Sequence, residues 1–221
     1  VVIGGGSAGC IAAAELALDR SVRVLLLEAG DGADDNPETL RADGYKEAFV
    51  NDRLVWERFS ETQQACGSRP MFMGSGTGLG GSGSINGMVY TRGAAVDYDS
   101  WPEGWRWDDV VPDFEAIERR LDPHRREPTE WTEACIRAAE QAGFRRKEDL
   151  NDGDLHGVLG YEWMSYAGEQ RRSSYVAFVR SQPQPNLAIE TRSHAHRILF
   201  DADGRATGVE YERDGLRSRV E

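Results

Sequence analysis

The sequence predicts an α/β fold, with a parallel sheet covered by helices and a dinucleotide-binding turn at its edge. Three observations carry that expectation. A glycine-rich turn, Gly4-Gly5-Gly6-Ser7-Ala8-Gly9, lies between the apolar segment Val1–Ile3 and an alanine-rich stretch. A nearly continuous apolar run, Val22–Leu27, follows and ends on Glu28. A second glycine-rich stretch spans residues 74–87, with Leu79 and Ile85 threaded through it.

The first thirty residues read strand, turn, helix, strand. Val1–Ile3 is the expected stub of a buried strand, and the helix is expected from Ser7 to about Asp19. Val22–Leu27 has the composition of a parallel strand buried on both faces. In the turn, Gly4 permits a tight reversal and Gly6 lets the backbone approach a pyrophosphate. Gly9 lets the helix pack close to the strand, and Ala8, Ala12 and Ala13 keep that face small. The N–H groups of Ser7 and Ala8 open the helix, where its positive end attracts phosphate. Glu28, nineteen residues after Gly9, ends the second strand with Ala29 beside it. A carboxylate there can accept both hydroxyls of an adenosine ribose and would repel a 2′-phosphate, so NADP is disfavoured. The motif does not choose between FAD and NAD.

Residues 30–54 are polar and rich in Asp and Gly, and read as a surface excursion. Within 74–87, Gly80 and Gly81 allow close backbone approach to a ligand, and Asn86 adds a donor and an acceptor. Leu79, Ile85, Met88, Val89 and Tyr90 are apolar residues that require burial, which argues against a mobile loop. Asp108 is placed to cap a helix whose apolar face is Val110, Phe114, Ile117 and Leu121. A further helix is expected over Glu130–Ala142, stopped by Gly143, with Trp131, Cys135, Ala138 and Ala142 on one face and Cys135 in the core. Leu187–Thr191, Ala195–Phe200 and Thr207–Glu212 read as a small antiparallel meander, with a turn at Asp203-Gly204.

Composition bounds the partners. The 221 residues have 39% hydrophobic and 29% charged side chains, with a formal net charge of −12. That balance is globular, and its acidity argues against nucleic acid and anionic membranes. Lys46 and Lys147 are the only lysines. No apolar run is long enough to span a bilayer. The chain opens on Val1, already inside an expected strand, so the lack of a visible leader carries little weight. Cys10, Cys66 and Cys135 are scattered and odd in number, which suits reduced thiols and a cytoplasmic location. His194 and His196 share one face of a strand but have no acid or cysteine beside them in sequence, so no metal site is expected. The acidic run at Asp149, Asn151, Asp152 and Asp154 fails as a calcium loop, because Asp154 stands where glycine is needed and Gly160 where glutamate is needed. Arg171-Arg172 reads as an ion-pairing or loop-anchoring site, and Trp101, Trp105 and Trp107 as packing residues.

The stretch from Gly76 to Gly93, followed by Asp97-Tyr98-Asp99-Ser100-Trp101, resembles the first signature of the glucose-methanol-choline oxidoreductases, in the choline-dehydrogenase-like branch. The resemblance extends over the whole chain. It includes Leu27-Glu28-Ala29-Gly30, Trp56 with Glu61-Thr62, Gly104-Trp105, Arg172-Ser173-Ser174, Asn186-Leu187 and Thr207-Gly208-Val209-Glu210. It implies FAD as cofactor and hydride transfer from an alcohol to the flavin, with an unidentified electron acceptor. It places Gly4, Gly6, Ser7, Ala8, Gly9, Glu28, Ala29, Gly80 and Gly81 along the adenosine diphosphate. Asn86, Gly87, Met88 and Val89 fall beside the flavin and Ala195 at the adenine. It further implies an N-terminal fragment, with FAD-binding elements at about 1–120 and 186–221 and part of a substrate domain at about 121–185. The family's catalytic histidine lies beyond residue 221, so His124, His156, His194 and His196 are not its counterparts. Thr77 and Gly83 depart from the family, which usually has Arg or Lys at the first position and often Ser or Thr at the second. Ile85 stands where members with covalently attached flavin can carry histidine, so non-covalent FAD is expected. The same fold also serves hydroxynitrile lyases and light-driven fatty-acid decarboxylases, and a stand-alone flavin-binding module without turnover is a further reading, which leaves the reaction itself open.

Overall fold

In the computed structural model, which describes residues 1–221, Val2–Ile3 (β1) pairs in parallel with Val24–Leu27 (β2). The helix Ser7–Leu16 (α1) connects them. Leu187–Glu190 joins the other side of β2, also in parallel, with Leu187 opposite Val24 and Glu190 opposite Leu27. Leu26 and Leu27 are buried in the middle strand, as are Cys10 and Ala13 on α1 and Ala17 at its C-terminal end. Small residues on that helix face permit the close approach of helix to sheet. Gly9 is fixed by the same contact: a Cβ there would lie 1.8 Å from the Gly4 carbonyl oxygen. The end of α1 is tied down by Asn186, whose Nδ2 donates to the carbonyls of Ala17, Asp19 and Val22.

The placement of Leu187–Glu190 corrects the expected meander. That segment belongs to the parallel sheet, and the antiparallel meander is built from Ser193–Phe200, Ala206–Arg213 and Leu216–Val220. A short apolar run is compatible with either sheet type, and the partner strand decides. Asp201 builds the expected turn, its Oδ1 accepting from the N–H groups of Asp203 and Arg205.

The chain divides into two compact units, one of Val1–Gly87 with Ala167–Glu221 and one of Met88–Tyr166. In the first, residues 30–54 are more than a surface excursion. They contain the short helix Tyr45–Phe49 (α2), and they bury Ala48 and Leu54 in a cluster with Ile85. Val55–Trp56 then pairs antiparallel with Ser75–Gly76.

The second unit holds the helices Trp107–Leu121 (α3) and Glu130–Gln141 (α4) and several two-residue strands. The carboxylate at the start of α3 is Asp109, not Asp108; its Oδ2 accepts from the N–H groups of Gly104 and Arg106. Val110, Phe114, Ile117 and Leu121 form the half-buried face as expected. In α4 the expected face is wrong. Ile136 is buried, whereas Cys135 is exposed and Trp131 is 77% exposed. Val89 is also exposed, and so is Trp105. The carboxylates of the failed calcium motif have cationic partners: Asp152 and Asp154 take Lys147, and Asp154 also takes Arg145.

One ionic node organises the second unit. Glu118 on α3 accepts from Tyr90 Oη at 2.8 Å and from Arg92 Nε at 2.7 Å, and Arg92 Nη2 closes the bidentate pair. Burial opposes the charge on Glu118, but the bonds from Arg92 and Tyr90 outweigh it, and its pKa lies below the ordinary 4.5. A depressed folded-state pKa gives stability that is complete above about pH 4.5 and is lost as pH falls through the folded value. Glu118→Gln is therefore expected to cost about 1–3 kcal/mol at pH 7, with a smaller difference from the unaltered chain at pH 3. Urea denaturation at the two pH values checks this, and an equal cost at both would count against the ionic role.

Candidate dinucleotide site

Glu28 gathers the backbone of three loops. Its Oε2 accepts from Gly5 N at 2.6 Å, and its Oε1 from Gly30 N at 2.8 Å and Gly78 N at 2.9 Å. The residue is only 6% exposed. A carboxylate has about four acceptor positions, and three are used here. One position remains free.

The two glycine loops meet at this carboxylate. Gly80 N donates to Gly5 O at 2.7 Å, and a Cβ on Gly81 would stand 2.9 Å from Gly6 Cα. Gly4, Gly80 and Gly81 all have positive φ, at +92°, +91° and +53°. That backbone region favours glycine. Cys10 Sγ donates to Gly5 O at 3.0 Å, and burial pushes its thiol pKa up to about 12. Such a thiol stays protonated and is a packing group, not a nucleophile.

Around Glu28 the first unit forms a cleft of about 290 Å³ whose wall includes Gly4, Gly6, Glu28, Ala29, Gly81 and Ala195. Sequence reasoning named all six. Trp56, Arg58, Ser75, Gly76, Ser193 and His194 complete most of the rest of the wall. Of these, Trp56 and Gly76 lie in the segments that carry the family resemblance. The cleft fits a phosphate-bearing group. Gly6 is the N-cap of α1, no side chain caps the helix, and its first turn carries no acidic residue. The first-turn N–H groups of a helix have no intrahelical partner, and Ser7 and Ala8 are exposed there. A Cβ on Gly4 or Gly6 would meet no atom within 4 Å. Both glycines thus face open space.

The remaining expected residues lie off this wall. Gly9 and Gly80 support it from behind. Asn86 is held by Arg171, whose Nη1 donates to Asn86 Oδ1 at 2.9 Å and to Gly83 O at 3.1 Å. Gly87 ends this part of the first unit, and Met88 and Val89 open the second. Arg171 is fully buried, and desolvation lowers its pKa to about 10, so it remains charged at neutral pH. Its role is the loop anchoring considered for Arg171-Arg172, and its burial was not legible in a charged dipeptide. His194 and His196 are exposed, with ring centroids 5.0 Å apart, and His196 Nε2 lies 3.4 Å from Glu212. Thr77 is buried, and its hydroxyl has no hydrogen-bond partner.

Comparison with known proteins agrees with this geometry. The chain is 35% identical to an oxygen-dependent choline dehydrogenase of Paraburkholderia phymatum, over 96% of this chain and 41% of that protein. It is 34% identical to an alcohol dehydrogenase (acceptor) of Pseudomonas putida, over all of this chain and 43% of that one. The chain thus spans less than half the length of these curated relatives. Among solved structures, pyridoxine 4-oxidase from Mesorbium loti superposes with a TM-score of 0.87 at 25% identity, covering 99% of this chain and 46% of that one. An FAD-dependent oxidoreductase from Chaetomium thermophilum gives a TM-score of 0.83 at 22% identity, over 99% of this chain and 43% of its own, and shares the fold. The sequence profile of the GMC oxidoreductases matches residues 1–220, and the chain, with its joined glycine loops and acidic strand end, belongs to that family.

Proposed function

We propose that this chain is the FAD-binding part of an oxidoreductase acting on the CH–OH group of an alcohol. The observation that supports the reading best is the one cleft that brings Gly4, Gly6, Glu28, Ala29, Gly81 and Ala195 together. In this reading the N–H groups of Ser7 and Ala8, at the positive end of α1, hold the pyrophosphate. The free acceptor position of Glu28 takes a ribose hydroxyl, and the backbone at Ala195 borders the adenine. Gly9 and Gly80 shape the turn, and Asn86, Gly87, Met88 and Val89 are assigned to the flavin end. Arg171 occupies the Asn86 carbonyl oxygen, which fixes the orientation of the amide.

When bound, FAD supplies the hydride acceptor for alcohol oxidation, and the protein supplies position and electrostatics. No residue among 1–221 is assigned as the base that takes the hydroxyl proton. The likeness to a choline dehydrogenase and an alcohol dehydrogenase makes choline or another alcohol the natural substrate class. No helix is long and apolar enough to cross a membrane. The three cysteines are free, which supports the reducing environment of the cytoplasm.

Two experiments test the reading. Gly6 has φ −74° and ψ −167°, a backbone any residue adopts, and its Cβ direction is open. Gly6→Val is expected to leave the thermal midpoint unchanged while weakening FAD binding about a hundredfold, or about 2.7 kcal/mol. Flavin fluorescence titration against the unaltered chain measures it, and unchanged affinity would remove the cleft as the cofactor site. Secondly, Ile85 is buried and has no atom able to bond covalently to a flavin. Acid precipitation of the FAD-loaded chain is expected to leave the yellow colour in the supernatant. Colour retained in the washed pellet would mean another residue makes a covalent link.

A further inference from the structure

The cleft wall carries one arginine and no lysine, and that arginine is Arg58. Its position is set by three local features. The Arg58 carbonyl accepts from Met73 N at 2.7 Å, which fixes the backbone just beyond the Val55–Trp56 strand. The guanidinium lies over the Trp56 ring, 5.6 Å from its centroid. Trp56 is in turn braced edge-on by His194, with centroids 6.3 Å apart. Arg58 is exposed and has no carboxylate partner, in a chain whose net charge is −12 and whose other arginines near this region are paired, Arg53 with Asp31 and Arg192 with Asp214. An unpaired arginine stacked on an aromatic ring at a cleft is pre-organised to donate, because stacking holds the plane of the fork and leaves its N–H edge free.

The same wall holds Gly4, Gly6 and Gly81, where the backbone leaves room for phosphate. Its one carboxylate, Glu28, already spends three acceptor positions on backbone N–H groups. We infer that Arg58 is the cation that binds the diphosphate of the dinucleotide in this chain. The inference rests on the cofactor reading above and adds a residue to it. Arg58 contributes a full positive charge, where the N–H groups at the start of α1 contribute a partial one. Trp56 contributes by holding the guanidinium plane.

The test separates diphosphate recognition from adenine stacking. Binding of ADP and of adenosine is measured by isothermal titration calorimetry on the full chain and on Arg58→Ala and Arg58→Lys. Arg58→Ala is expected to weaken ADP by about ten- to a hundredfold and leave adenosine unchanged. Arg58→Lys, which keeps the charge and loses the planar fork, is expected to fall between. The exposed position predicts an unchanged thermal midpoint in both variants. Equal loss for ADP and adenosine would overturn the inference in favour of stacking on the base. Undiminished ADP binding by Arg58→Ala would overturn it while leaving the cofactor reading standing. An unaltered chain that binds neither FAD nor ADP would remove the cofactor reading, and this inference with it.

Discussion

The first unit depends on a carboxylate that accepts from backbone groups far apart in sequence. Glu28 sits at the end of the central strand β2, and its oxygens take N–H groups from the first glycine loop, from the turn after the strand and from the second glycine loop, at Gly5, Gly30 and Gly78. Bonds to a charged acceptor are roughly twice as strong as neutral ones. Within a buried setting, a donor left without them costs about 1–3 kcal/mol. The glycines follow from that arrangement. Gly30 must lack a side chain because a Cβ would stand 2.3 Å from Gly78 N, and Gly9 because a Cβ would strike Gly4 O. Three segments of chain crowd around one anion, and the crowding leaves a cleft on the side where Gly4 and Gly6 point to open space.

Two ionic anchors, one cationic and one anionic, hold the rest of the two units. Arg171 is buried beneath the second glycine loop and holds it through Gly83 O and Asn86 Oδ1. With desolvation lowering its pKa only to about 10, it keeps its charge, and loop carbonyl oxygens stand in for a counter-ion. In the second unit Glu118 does the reverse, a carboxylate held by Arg92 and Tyr90. The half-buried Glu118 has its charge met by two side-chain donors, whereas the Nε and Nη2 of Arg171 are buried without a hydrogen-bond partner.

Much of this was legible in the sequence, and the reason is physical. The turn from Gly4 to Gly9 and the acid at Glu28 are constrained by backbone conformation and close approach, and such constraints leave residue-level signatures at fixed spacing. Gly4, Gly6 and Glu28 from these signatures line one cleft, together with Ala29, with Gly81 of the second glycine stretch and with Ala195, which only the family resemblance named. What the sequence did not disclose depends on contacts between distant segments. Leu187–Glu190 looks like any short apolar strand until β2 is seen beside it. The bond from Gly78 N to Glu28 joins positions fifty residues apart. Arg58 has no local pattern to mark it, and its meaning comes from the Trp56 ring below it and the glycines across the wall. The helix α4 illustrates the opposite error: periodicity defined a face through Trp131 and Cys135, but burial went to Ile136.

The central claim is that Glu28 holds both glycine loops in one cleft, and amide hydrogen exchange followed by NMR tests it most directly. The account predicts that the N–H groups of Gly5, Gly30 and Gly78 exchange slowly in the chain as it stands. In Glu28→Gln an amide NH₂ replaces one of the two oxygens, so either Gly5 or the Gly30 and Gly78 pair should exchange much faster, while the amides of the Ser193–Phe200 and Ala206–Arg213 strands stay protected. Fast exchange at Gly78 in the unaltered chain would contradict it, because the second loop would then not be held by the carboxylate.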